Sequence, residues 1–89
     1  MIVHTVKLTN RLGLHARAAA KLVHLAGQFS AEITLALDGE SVDAKSILGI
    51  LLLAAVQGSD LTLSCDGVDE DSAATALTDL IESRFGEPE

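Results

Sequence analysis

Residues Gly13, Leu14, His15, Ala16 and Arg17 place an imidazole and a guanidinium together at the entrance of a helix. Imidazole titrates near neutrality, so an uncharged ring with a free nitrogen lone pair is available as a nucleophile. A phosphate at that position meets the free backbone N–H groups of Ala16, Arg17 and Ala18 and the positive end of the helix dipole. Arg17 adds a planar fork of donors matched to phosphate oxygens. The helix terminus and the arginine both favour the uncharged ring before transfer, and they balance phosphoryl charge after it. Dipole effects of this kind amount to about 0.3–1 kcal/mol when exposed and up to ~2 when partly buried, enough to tune a phosphohistidine without locking it. His15 is therefore the candidate phosphoryl acceptor and Arg17 its phosphate-stabilising partner. The plainer alternative is a histidine that only caps the helix.

The other reactive side chains do not form a second site. His4 falls on a strand and His24 on the polar side of a helix, and the three histidines lack metal-ligand spacing. No metal and no cofactor is expected. Cys65 alternates onto the apolar side of its strand, where an inert core thiol is the expectation. As the only cysteine it cannot close an internal disulfide, and it fits a reducing compartment.

Composition bounds the rest. A chain of 89 residues makes one domain, residues 1–89, with little room for a deep cleft. It is 48% hydrophobic with a mean hydropathy of +0.37, which supports a core. Trp and Tyr are absent and Phe occurs twice, so that core is built from Leu, Ile, Val and Ala, and base stacking on nucleic acid is unsupported. No basic segment leads into an apolar stretch at the N-terminus, so no signal peptide is read. The most apolar run, Ile47 to Val56, is ten residues long; a membrane span needs roughly 20. A cytoplasmic monomer without membrane insertion is the expectation. Net charge is −7, yet four of the six basic residues and none of the 13 acidic ones precede Glu32. That asymmetry predicts a local positive field around His15.

Periodicity supplies the scaffold for these side chains. Ile2 to Leu8 reads as a strand with Val6 and Leu8 on the core side, followed by a polar loop in which Gly13 supplies backbone angles closed to other residues. Ala19, Leu22, Val23 and Ala26 form the buried stripe of a helix over Ala16 to Ala26, with Gly27 its terminator. Ile33, Leu35 and Leu37 alternate with polar neighbours, and Asp38-Gly39 signals a tight turn into a short strand, Glu40 to Asp43. Ser46 has the residue type of an N-cap for a helix running from Ile47 to about Gln57. Leu61, Leu63 and Cys65 alternate in a fourth strand. Asp69 opens a last helix whose stripe is Ala74, Leu77, Ile81 and Phe85. Gly86 to Glu89 reads as a frayed tail. The order β-α-β-β-α-β-α, with one-sided strands, predicts an α+β open-faced sandwich: a small, mostly antiparallel sheet carrying three helices on one side.

The run Leu12-Gly13-Leu14-His15-Ala16-Arg17-Ala18 resembles the phosphorylation-site motif of the HPr phosphocarriers of the bacterial phosphotransferase system. Asp43-Ala44-Lys45-Ser46-Ile47-Leu48-Gly49 resembles their regulatory serine segment, and the likeness covers nearly the whole chain. The resemblance implies a four-stranded antiparallel sheet with three helices on one face. It implies that His15 accepts a phosphoryl group on Nδ1 from phosphorylated enzyme I, charged by phosphoenolpyruvate, and passes it to an enzyme IIA protein for sugar uptake or regulation. Arg17 and the amides of Ala16 to Ala18 would surround the phosphate. Lys21, Leu48, Gly49 and Leu51 would contact partners. Ser46 would be phosphorylated by HPr kinase/phosphorylase, with transcriptional regulators as further partners. Many members carry proline where this chain has Ala18, which loosens the helix entrance without removing any chemistry.

Two other readings belong to different classes. A purely regulatory module, of a nitrogen-type or incomplete system, would use Ser46 with Leu48 and Leu51 and would have no need of His15, Gly13 and Arg17. A small acyl-phosphate hydrolase would need a positioned water and an activating side chain near the arginine, and the sequence offers no such pairing.

Overall fold

The computed structural model describes residues 1–89. Four strands alternate with three helices in chain order: β1 (Ile2–Lys7), α1 (Ala16–Ala26), β2 (Glu32–Leu37), β3 (Glu40–Asp43), α2 (Ile47–Leu53), β4 (Asp60–Asp66) and α3 (Glu70–Glu82), followed by one 3-10 turn (Arg84–Gly86). The strands pair antiparallel throughout in the order β1-β4-β2-β3. The α+β open-faced arrangement is as expected.

Register explains the single core. Ile2 lies opposite Cys65, which lies opposite Ile33; His4, Leu63 and Leu35 make the next row, and Val6 faces Leu61. Apart from the exposed His4, one pleated face is thereby apolar across three strands, and the helices cover it with Leu22, Ile50, Leu77 and Ile81, none of them accessible to solvent. The other face carries Thr34, Thr62 and Ser64 and stays half exposed. Asp38 and Gly39 both take positive φ, +51° and +85°, as the tight hairpin joining β2 to β3 requires. No helix is long and apolar enough to cross a membrane.

The first strand ends one residue early, at Lys7, and two boundaries differ more from the sequence reading. The second helix stops at Leu53 rather than near Gln57, because Ala54 turns left-handed at φ +53° and returns its N–H to Leu51 O. Residues 54–59 then serve the loop before α1: Leu14 N–H donates to Ala55 O at 3.0 Å, Gly58 N–H to Leu8 O at 2.7 Å and Leu8 N–H to Ser59 O at 2.8 Å. Helix propensity loses to these tertiary bonds.

At the far end, Phe85 fills the core, but not from a helix. Arg84, Phe85 and Gly86 all adopt positive φ (+59°, +56° and +78°), reversing the chain after α3. The tail beyond is not frayed. Arg11 N–H donates to Glu89 O at 2.9 Å and Arg84 Nη1 to Pro88 O at 3.3 Å, while Lys21 Nζ donates to Phe85 O at 2.6 Å.

Candidate functional site

His15 occupies the N-cap position of α1 with extended backbone angles (φ −72°, ψ 176°), and its side chain makes no capping bond. That disposes of the plain capping role. The first helical bond runs from Ala19 N–H to His15 O at 2.8 Å, leaving the amides of Ala16, Arg17 and Ala18 without a partner inside the helix. No acidic residue lies in the first helical turn. Arg17 is exposed and forms no ion pair, so its guanidinium is free to meet an anion.

His15, Ala16, Arg17, Arg11 and Glu87 line one open cavity of about 590 Å³. The imidazole side chain is 26% exposed, accessible without being fully solvated. The loop behind it is fixed at Gly13, whose φ of +64° and close approach exclude a side chain: a Cβ there would lie 2.5 Å from Ala55 O.

Beside the bases Arg11 and Arg17, the fold brings acids from the far end of the chain, Glu87 and Glu89, into the lining of this cavity. The tail that the sequence leaves loose brings Glu87 onto the ring, with Glu87 Oε2 2.5 Å from His15 Nε2. Glu87 is itself 13% exposed, and Asn10 Nδ2 donates to its Oε1 at 3.1 Å while also donating to Gly13 O at 2.8 Å. Asn10 is fully buried, and its Oδ1 has no partner. Two acceptors on one side therefore fix which way this amide points. Glu87's carboxyl sits below its ordinary value, chiefly because His15 donates to it. Desolvation opposes that, while the Asn10 bond and the charges of His15 and Lys21 add to it. Arg11 Nε pairs with Glu89 Oε2 at 3.1 Å.

Sequence reasoning missed Asn10, Glu87 and Glu89 as parts of this surround, and counted Arg11 only among the bases of the first segment. A polar tail after Gly86 looks featureless, and its one cue is Phe85, the apolar anchor before it. Lys21, expected to meet partners, holds the tail through Phe85 O.

Around Ser46 the expectation of an N-cap holds, since its Oγ accepts from Gly49 N–H at 3.1 Å. Gly49 is half-buried, and a Cβ on it would come within 3.3 Å of Val42 Cβ, so it permits close contact between α2 and β3. Next to Ser46, Lys45 Nζ donates to Phe29 O at 2.7 Å. Leu48 is 63% exposed and Leu51 39%, and Ile47, Leu52, Leu12 and Val56 are exposed too. Cys65 is wholly buried, and burial first of all pushes its thiol up, with Glu70 and Asp69 adding to the shift. No cluster of three or more His, Cys, Asp or Glu side chains is placed to hold a metal ion.

The chain is similar to known proteins over its whole length. A family model described as "PTS HPr component phosphorylation site" matches residues 2–83. The chain is 51% identical over 89 residues to a phosphocarrier protein HPr of Cupriavidus necator, covering 100% of both chains. It is 49% identical over 87 residues to a phosphocarrier protein HPr of Xylella fastidiosa strain Temecula1, covering 98% of each. The crystal structure of HPr-C-His from Thermoanaerobacter tengcongensis superposes with a TM-score of 0.97 at 47% identity, covering 100% of both chains.

Proposed function

The chain belongs to the HPr family of phosphocarriers of the phosphotransferase system, and from that premise we propose that His15 is its phosphoryl acceptor. The group arrives from phosphorylated enzyme I, itself charged by phosphoenolpyruvate, and leaves for a histidine of an enzyme IIA protein. The chain is a carrier rather than an enzyme: it ends each cycle unchanged only after meeting its acceptor.

One observation carries this reading. An accessible imidazole and an unpaired guanidinium share an open cavity at a helix N-terminus whose first amides are free. Nδ1 is the attacking nitrogen, and the bond it forms replaces the donor's N–P bond, whose electron pair returns to the donor ring. Arg17 and the amides of Ala16, Arg17 and Ala18 hold the three phosphoryl oxygens. The exposed apolar side chains Leu12, Leu48 and Leu51 provide a docking surface beside the site. Ser46, at the N-cap of α2 within that surface, is the regulatory phosphorylation site. A phosphate there sets about two negative charges among apolar contacts and weakens docking.

Incubation with phosphoenolpyruvate and enzyme I tests the proposal. The expected product is an acid-labile phosphohistidine seen by ³¹P NMR, absent from His15→Ala and formed more slowly by Ser46→Asp. A label that survives His15→Ala, or that resists acid, refutes the carrier role. An undiminished rate in Ser46→Asp refutes the regulatory one.

A further inference from the structure

We propose that Glu87 is a positioning residue for His15: held by Asn10, it keeps the ring proton on Nε2 and so leaves the Nδ1 lone pair free to attack phosphorus. The inference rests on the phosphocarrier reading of His15 and adds what selects the nitrogen.

The geometry begins with a carboxylate, which can only accept. With Glu87 Oε2 2.5 Å from Nε2, that nitrogen must carry hydrogen. In a neutral imidazole the other nitrogen then has the lone pair, and Nδ1 makes no hydrogen bond within the chain. A carboxylate that orients an imidazole and fixes its tautomer from behind is a recurring way of making one nitrogen the reactive one.

Glu87 is held from three directions. Asn10, buried and pinned to Gly13 O, donates to Oε1. Phe85, 1% exposed, anchors the tail in the core, and the left-handed turn at residues 84–86 directs residues 87–89 back across the start of α1. Beyond Glu87, Arg11 holds Glu89 through both its backbone N–H and its side chain.

The same contact balances the transfer step. When the Nδ1 lone pair bonds to phosphorus and the donor's N–P bond breaks, the pair in that bond returns to the donor ring. The proton on Nε2 stays where it is. The phosphorylated ring is then cationic, and the Glu87 carboxylate neutralises it at hydrogen-bond distance. Onward transfer reverses the charges and leaves the ring neutral, again protonated at Nε2.

Two substitutions separate orientation from mere stability. In Glu87→Ala the tautomer preference relaxes toward a mixture. Glu87→Gln makes a sharper prediction. Asn10 donates toward this position and cannot flip without facing its Oδ1 to Gly13 O, so the new amide turns its oxygen to Asn10 and its NH₂ to His15. An NH₂ can only donate, so Nε2 becomes the acceptor and the proton moves to Nδ1.

Long-range ¹H–¹⁵N NMR of the unphosphorylated full chain at about pH 8, above the ordinary histidine range, reads the tautomer directly. The expected result is Nε2–H in the native chain, a mixture in Glu87→Ala and Nδ1–H in Glu87→Gln. Phosphoryl uptake from phosphorylated enzyme I should fall roughly 10-fold in Glu87→Ala, the scale of losing a group that orients a reactive imidazole, and further in Glu87→Gln. A native Nδ1–H tautomer, or ring shifts unmoved by both substitutions, overturns the inference. A native Nε2–H tautomer on a chain that takes up no phosphoryl group would instead sink the carrier reading while leaving the positioning contact intact.

Discussion

Gly13 answers two demands at once, and each explains why no other residue serves there. Its φ of +64° lies where a Cβ costs about 1–2 kcal/mol, and that Cβ would also strike Ala55 O, the acceptor that ties Leu14 to the segment after α2. Gly13→Ala is therefore expected to destabilise the fold by about 2 kcal/mol or more, read by urea unfolding. Because the displaced backbone is the one that presents His15, uptake of phosphoryl groups should slow as well. A variant as stable as the parent would show that the loop relaxes without strain. Much at this scale was legible beforehand: the glycine, the histidine and the arginine are close together in the chain, and their chemistry is local. Asn10 and Glu87 were not legible, because they meet His15 only after the tail has reversed direction.

Among the elements, α2 shows how a short helix is bounded by its ends rather than by its composition. Ile47–Leu53 is apolar nearly all round, yet only Ile50 and Leu53 are buried. Ser46 closes the N-terminal end through Gly49 N–H. Ala54 closes the other, in a left-handed conformation that glycine adopts without penalty. Ala54→Gly should accordingly raise stability by about 1 kcal/mol, seen as a higher denaturant midpoint at an unchanged slope. A lower midpoint would mean that chain entropy outweighs relief of the left-handed turn. The strands were legible because alternation with period two is a local signal. The end of α2 was not, since nothing in Ala54 to Gln57 forbids a helix, and Ala55 O is claimed by Leu14, and Gly58 and Ser59 by Leu8, from another part of the chain.

On the scale of the whole molecule, Asp69 joins the segment entering β2 to the start of α3, parts far apart in sequence. It was expected to open α3, and it does stand at the N-cap, but its side chain makes no capping bond. Its two oxygens instead accept from Ser30 N–H and Ala31 N–H, each at 2.8 Å, clamping the segment after α1 to the start of α3. The Ser30 bond is the main reason its carboxyl sits below the ordinary 3.8; desolvation resists, and the Ala31 bond and the Lys45 charge assist. A carboxylate with a depressed value in the folded state adds stability above its unfolded value, and that contribution disappears as acid lowers the pH through the folded one. Asp69→Asn should therefore lower Tm near neutrality and reduce the loss of stability between about pH 5 and the folded value, followed by thermal unfolding across pH. An acid limb as steep as the parent's would assign that steepness to other carboxylates.

The amino-acid order by itself determined the four strands, the three helices, their one-sided packing and the identity of the candidate nucleophile with its arginine. Those depend on spacing within a few residues, where periodicity and helix-end chemistry act. Folding alone decided what stands against the imidazole. His15 and Glu87 are 72 positions apart, and their meeting depends on Phe85 entering the core and on three consecutive left-handed residues that no local pattern announces. A residue's neighbours along the chain set its conformational preference, but its electrostatic neighbours are chosen by where the buried anchors pull the backbone.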